Sequence, residues 1–267
     1  MIKDSVSKVA PANIISDTGF DKDALRSTAS FENIPSDLIG LGDDIREISE
    51  KVYGEWVAIN WHGSIPRGDF VFGDSDADFT IITKEALPEG HQELRKSLLD
   101  ALAPKWAERG VAKLDVITVP LEELHEPFRR NVLFFCYSDG VNIEGSENLD
   151  LSFVLPETSQ ELTQLLNKKF ELWIETVKED GGEDVRYVEQ LRKRTIRAIY
   201  ACAMLQGAPY LRGWRTYGPN IEMYASKYSQ LYSDLINNSV PFKDLVQSSE
   251  LVRDDLAHSG VKFDKEW

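Results

Sequence analysis

Cysteine is scarce in this chain of 267 residues: Cys136 and Cys202 are the only two. They form no disulfide framework and no metal-ligand spacing. Disulfide-stapled modules and cysteine-rich zinc folds are therefore excluded, and a reducing, cytoplasmic setting is the simplest expectation. Both cysteines lie in apolar runs and read as packing residues. Long apolar runs are missing too, since nothing approaches the ~18 residues of a membrane span. The first residues, Met-Ile-Lys-Asp-Ser-Val-Ser-Lys, lack the apolar centre of a signal peptide. No membrane partner is expected. Positive charge is the third shortage: 45 Asp and Glu stand against 30 Lys and Arg, a net charge of −15. The deficit is uneven, with 28 acids against 15 bases in residues 1–150 and 17 against 15 in the remainder. A chain this acidic is poorly suited to binding along a phosphate backbone, so nucleic acid is not an expected partner. A cationic small molecule would be drawn in, although the charge equally serves solubility.

What remains is the composition of a globular protein, 42% hydrophobic and 28% charged. It is organised around Asn60-Trp-His-Gly-Ser-Ile-Pro-Arg-Gly-Asp-Phe-Val-Phe-Gly-Asp-Ser-Asp-Ala-Asp-Phe-Thr-Ile-Ile-Thr83. One apolar run stops at Gly63-Ser64, and another starts at Asp76-Ala-Asp78. Strand side chains alternate with period two, so Asp76 and Asp78 point the same way. Two carboxylates that close repel unless a cation sits between them. Hard oxygen donors at this spacing suit Mg²⁺, which takes one or two carboxylates and completes its shell with substrate phosphates. Gly63 and Ser64 add backbone N–H groups and a hydroxyl that can approach a phosphate. The combination reads as phosphoryl or nucleotidyl transfer. A calcium loop through Asp74, Asp76, Asp78 and Glu85 fails, because its sixth position needs Gly and holds Phe79. A Walker-type loop fails as well, because no Gly-Lys-Ser/Thr follows the glycines.

Hydrophobic spacing predicts the order helix, strand, strand, helix, strand. The helices are Pro35 to Tyr53 (with Ser36 as cap) and Glu93 to Arg109, the latter with Leu94, Leu98, Leu99, Leu102 and Trp106 on one face. The strands are Trp56 to Trp61, Asp78 to Thr83 and Val111 to Val119. The last carries Asp115, a lone acid inside an apolar run, which is costly unless it has a partner or a role. A buried segment at 131–137, a short strand at 141–144 and an exit loop closing on Pro156 follow. Thereafter the pattern is helical: Ser159 to Glu179, a break at Gly181-Gly182, Tyr187 to Leu205, about 220–233 and 241–258. The expected domains are an N-terminal extension (1–33), a catalytic domain (34–155) and a C-terminal helical bundle (156–267).

Gly63-Ser64, Arg67-Gly68 and Ser75-Asp76-x-Asp78 leading into a strand resemble the signature of the DNA polymerase β-like nucleotidyltransferases. With Asp115 and the helical second half, the chain is most similar to bacterial aminoglycoside adenylyltransferases acting on streptomycin and spectinomycin. That resemblance implies an α+β fold, with a nucleotidyltransferase core of mixed sheet and helices followed by an all-α bundle. It implies a Mg²⁺-dependent adenylyltransferase with two ions, moving AMP from ATP to a hydroxyl of a small cationic acceptor. Asp76 and Asp78 would be metal ligands, Asp115 the general base or a third metal contact, and Ser64 a holder of the terminal phosphates beside Gly63. Arg67, Arg192 and Arg215 would supply positive charge to the triphosphate, with Arg194, Arg197 and Arg212 as further candidates; the bases of the helical half read equally as a solvated face, and Arg67 equally as a partner of Asp69 or Asp74. The usual third acid in these enzymes is Glu, and Asp115 is a shorter arm. Other readings are a toxin-type nucleotidyltransferase acting on tRNA or protein, and a non-catalytic nucleotide-binding regulator. Arg253-x4-His258 also resembles the ribonuclease motif of HEPN toxins, against the plainer role of His258 as a helix C-terminal residue. His62, next to the Gly63-Ser64 turn, could touch phosphate, with a strand-end packing role the plainer reading. A monomer or homodimer is expected.

Overall fold

A computed structural model describes residue 25 and residues 29–145, 149–211 and 213–264. The expected N-terminal extension therefore lies almost wholly outside the described residues, as does Arg212. The chain divides into two compact units at the junction of Pro156 and Glu157.

The first unit holds a sheet of four strands: β1 (Trp56–His62), β2 (Ala77–Thr83), β3 (Leu114–Pro120) and β4 (Val141–Glu144), in the order β3-β2-β1-β4. β1 pairs antiparallel with β2 and β4, whereas β2 and β3 run parallel. A parallel pair needs a crossover, and helix α3 (His91–Ala107) supplies it. Helices α1 (Gly40–Tyr53) and α3 pack together, while α4 (Arg130–Asp139) packs on β1. The period-two pattern of β2 sends Ala77, Phe79 and Ile81 into a core with Trp61, Ile59, Val116, Leu41, Ile45 and Trp106. Trp61 stacks on Phe79 with ring centroids 4.9 Å apart. Asp76 and Asp78 are thereby left on the opposite face from that core.

Several details of the first unit differ from the spacing-based expectation, among them the start of β3 at Leu114 in place of Val111. Residues 36–39 form turns in place of the first helical turn, and α1 begins at Gly40 with no side-chain cap from Ser36. Backbone bonds Leu38 to Pro35 and Leu41 to Leu38 close three-residue turns there. The segment at 131–137 is helical, inside α4. In α3, Trp106 is fully buried, but Leu94 faces solvent, so the apolar face is narrower than Leu94 to Trp106 implied.

The second unit is all helical: α5 (Ser159–Asn167), α6 (Phe170–Asp180), α7 (Val185–Met204), α8 (Gly218–Tyr224), α9 (Ser229–Ile236) and α10 (Phe242–His258). The helix expected over 159–179 is two helices. At the break, the Lys168 carbonyl accepts a hydrogen bond from the Asp264 N–H at 2.6 Å. The segment expected near 220–233 is likewise split, since Ala225 leaves helical geometry with φ −142° and ψ 44°. Around α7, the longest helix, Leu191, Ile196, Ile199 and Ala203 are fully buried, and α10 and α6 pack against it. At its amino end Asp184 caps the helix by accepting from the Arg186 N–H at 2.8 Å. No helix among the described residues is long and apolar enough to cross a membrane.

Trp106 is the anchor of α3. It is 1% exposed, and its indole N–H donates to Asp44 on α1 at 2.8 Å. Trp106→Ala should destabilise the first unit by about 3–5 kcal/mol. Urea unfolding followed by circular dichroism measures this, and a loss within ~1 kcal/mol would show that Leu99 and Leu102 hold the helix unaided.

Candidate active site on the carboxylate face of the sheet

The site is assembled from the ends of three adjacent strands. In the parallel register of β2 and β3, Asp78 stands directly opposite Asp115, and on its other side it stands opposite His62 of β1. Residues opposite each other on neighbouring strands share a face, so both carboxylates emerge on the side away from the Trp61–Phe79 core. Asp76 immediately precedes β2, one strand repeat from Asp78. His62 is buried and bonds Thr80 Oγ1 at 2.9 Å.

Gly63 closes β1 against Asp78. Its φ of 94° lies where side chains are strained, and an added Cβ would sit 2.6 Å from Asp78 Oδ2. Glycine is therefore required twice here, by conformation and by space. Ser64, half-buried, opens the one-turn helix α2 (Ser64–Arg67), where the sequence led us to expect only a turn. Arg67 ends that helix and bonds Asp69 and the buried Asp139, each at 3.0 Å. Asp139, at the end of α4, fastens this turn from 72 residues away. Sequence reading missed Asp139, and no short-range pattern could have signalled it.

The electrostatics centre on Asp78. Burial, then the charge of Asp76, then that of Asp115 push its carboxyl up to about 7, against the opposing pull of Arg67 and Lys113. Asp115 is half-exposed and paired with Lys113 at 3.0 Å. That pairing has a sequence signal, because Lys113 and Asp115 are two residues apart at a strand start and share a face. Among the described residues, no three His, Cys, Asp or Glu side chains converge as a ligand set on their own. Asp76 and Asp78 nevertheless fit the group. Two hard carboxylates destabilise one another in the metal-free protein, and Mg²⁺ needs few protein ligands when substrate phosphates complete its shell. Asp115, turned to Lys113, stands at the flank of that pair.

The other basic candidates belong to the helical unit and are described within it. Arg192 is 9% exposed, and its guanidinium is taken up by Glu189 and by the Leu235 carbonyl at 2.7 Å. The exposed basic face expected there is thus partly enclosed. Arg194 lies over the Trp173 ring at 4.8 Å, and burial followed by the charge of Arg197 lowers its pKa to about 9. Arg215 is exposed and lies over the Trp214 ring at 4.6 Å. Arg253 pairs with Glu171 and Asp254, and His258 Nδ1 donates to the Asp254 carbonyl at 2.6 Å. The Arg253–His258 pair is thus occupied with helix-local and interhelical contacts.

Comparison with known proteins places the fold. The crystal structure of spectinomycin adenyltransferase AAD(9) from Enterococcus faecialis, with ATP and spectinomycin, matches with a TM-score of 0.54 and 12% sequence identity. The match covers 80% of this chain and 97% of that one. No family model matches, and no curated protein matches by sequence. The mixed sheet with its helices and helical second half is therefore an adenyltransferase-like α+β fold.

Asp78 yields a pH signature in the metal-free protein. Burial and the neighbouring acids raise its folded pKa to about 7, so between about pH 4 and that value the folded state holds a proton that the unfolded state has released. Its contribution to stability falls as pH rises from about 4 to about 7 and is level above that. Asp78→Asn should therefore match wild type at pH 4 and exceed it at pH 8 by on the order of 2–4 kcal/mol. Thermal melts in chelator measure the difference, and a variant less stable than wild type at pH 8 would contradict the assignment. Gly63→Ala should lower stability at every pH.

Proposed function

We propose that the protein is a Mg²⁺-dependent nucleotidyltransferase that moves a nucleoside monophosphate, AMP from ATP by default, to a hydroxyl of a small acceptor. The observation that carries this reading is the register that sets Asp115 beside Asp78, with Gly63 pressed against the Asp78 carboxylate. The shared fold with an adenyltransferase supports it. A cationic acceptor of the aminoglycoside class is the expectation from the net charge of −15, and the neighbour with spectinomycin lends it support. The half-exposure of Asp115 and the net charge of −15 favour a small acceptor over RNA.

The roles follow from chemistry and position. Asp76 and Asp78 would hold Mg²⁺, which when bound neutralises phosphate charge and stabilises the attacking and leaving oxygens of an in-line displacement. Gly63 cedes its side-chain space to the Asp78 carboxylate, its backbone N–H would turn to the triphosphate, and Ser64 offers its hydroxyl. Arg67 adds positive charge while holding the turn to Asp139. Of the helical unit's candidates for phosphate charge, Arg215 is exposed over the Trp214 ring and Arg192 is paired with Glu189. Asp115 accepts the proton of the acceptor hydroxyl as its oxygen bonds to the α-phosphorus. The bond from that phosphorus to the bridging oxygen breaks, and pyrophosphate leaves. Lys113 steadies the Asp115 carboxylate in position.

Asp76→Asn and Asp78→Asn should each lower turnover by about a thousandfold or more with the fold retained, and Asp115→Asn by ~10²–10⁴-fold. Pyrophosphate release from each nucleoside triphosphate with Mg²⁺, over aminoglycosides, spectinomycin and bulk tRNA, is the assay. Full activity in both the Asp76 and Asp78 variants would remove the metal-site assignment. Release with tRNA alone would move the protein to the toxin-type class.

A further inference from the structure

The turn that carries Ser64 and Arg67 cannot hold its own shape. Helix α2 is four residues long, and so short a helix is unstable in water unless the rest of the chain fixes it. At its amino end Gly63 is pressed on the Asp78 carboxylate, and in its middle Ile65 is fully buried in the sheet core. Two of its carbonyls close on the chain that follows. Ile65 accepts from the Gly68 N–H and Ser64 from the Asp69 N–H, each at 3.1 Å. The Pro66 carbonyl, one of the groups that a helix end leaves over, is met from much further away.

Residues 30–33 supply its partners. The Ser30 N–H and the Asn33 side-chain Nδ2 each donate to the Pro66 carbonyl at 2.9 Å, which fills both lone pairs of that oxygen. One 3₁₀ turn over Phe31–Asn33 sets the two donors, and Ser30 Oγ caps it by accepting from the Glu32 N–H at 3.2 Å. Ile34, next in the chain, is buried in the same core as Ile65, so this turn is anchored. Gly68 leaves α2 with a φ of 83°, and a Cβ there would meet Asn33 at 3.4 Å. Asn33 is thus packed on the backbone after α2 as well as bonded to the carbonyl within it. By sequence this asparagine reads as the end of an N-terminal extension, outside the catalytic domain. A second hold comes from α4, where Asp139, its side chain 2% exposed, bonds the Arg67 guanidinium at 3.0 Å.

A polar group shielded from water needs a partner wherever it lies. These partners differ from ordinary ones in what they hold, because the turn between them offers the Ser64 hydroxyl beside the metal-ligand pair. Misplacing such a group by about 1 Å can cost on the order of 100-fold, and groups that bind a ligand work only when a supporting layer fixes them. We propose that Asn33 and Asp139 are positioning residues of the nucleotide site, setting the Ser64–Arg67 turn where it receives the terminal phosphates of a nucleoside triphosphate. This rests on the nucleotidyltransferase reading of Asp76, Asp78 and Asp115. Neither residue touches the nucleotide. Asn33 acts through the Pro66 carbonyl and Asp139 through Arg67, and the effect of both falls on the phosphate tail, the part of the nucleotide assigned to Ser64.

The test is calorimetric titration of the full chain with ATP and with AMP in the presence of Mg²⁺, below the melting transition of every variant. Asn33→Ala leaves the Ser30 N–H on the Pro66 carbonyl, so the fold is retained. Asn33→Ala and Asp139→Asn should each raise the Kd for ATP about tenfold or more. AMP lacks the tail and should bind both variants as it binds wild type. Asn33→Gln, which keeps the amide, and Asp139→Glu, which keeps the carboxylate, should each recover part of the loss. ATP binding that ignores both Asn33→Ala and Asp139→Asn would overturn the proposal, and so would a loss equal for ATP and AMP, which is what a merely structural role predicts. Where wild type binds AMP too weakly to measure, inorganic tripolyphosphate replaces it. Weakening in step with ATP then supports the proposal, and indifference overturns it. The nucleotidyltransferase reading fails separately, if wild type binds no ATP or if Asp76→Asn and Asp78→Asn leave Mg²⁺-dependent ATP binding unchanged.

Discussion

The site depends on the parallel pairing of β2 with β3 in a register that opposes Asp78 to Asp115. Carboxylates set this way raise each other's energy, and neighbouring features moderate the strain. Lys113 takes one oxygen of Asp115. Arg67, itself held by Asp139, lends positive charge to the Asp78 side. Gly63 yields the volume that any larger residue would claim from the Asp78 carboxylate. The arrangement is held open by the sheet and the Trp61–Phe79 core behind it, since the acids themselves favour moving apart. Local conflict of this kind, sustained by a consistent scaffold, is characteristic of functional sites.

Much of this was legible from residue order alone. Asp76-x-Asp78 at a strand start, the Gly63-Ser64 stop and the lone Asp115 each have a short-range reason to be noticed, namely period-two alternation and the cost of an acid among apolar neighbours. The β-strands and most helices followed from spacing for the same reason. The less legible features are tertiary. Asp139 reaches Arg67 across 72 residues. The break between α5 and α6 coincides with a carbonyl diverted to Asp264, which no local propensity encodes. Arg192 read as a solvent-facing base, yet Glu189, the Leu235 carbonyl and Trp214 surround it. Side-chain length explains that difference, since an arginine can leave its own helix face to find a partner.

Charge shows the same division between what a sum conveys and what a position conveys. The excess of acids in residues 1–150 is a sum over the chain, whereas Asp78 is governed by its nearest groups, Asp76, Asp115, Arg67 and Lys113. Crossover helix α3 shows the same contrast between its two sides. Its core side holds Trp106 against α1, while its first turns carry His91 and Arg95 to the edge of the strand that bears Asp115. One helix therefore serves both packing and the polar rim of the sheet.

The register of β3 also bears on how such a chain can vary. Side chains on a strand swap faces with each one-residue slip, so an insertion or deletion between Gly110 and Asp115 would turn Asp115 toward the Trp106 core and bring Leu114 or Val116 out beside Asp78. The loop before α3, residues 84–90, carries no such phase. Lineages descended from a common ancestor should thus keep the spacing from Trp106 to Asp115 strictly while the 84–90 loop drifts in length. That contrast in tolerated length change would mark homologous chains even where sequence identity has decayed to background.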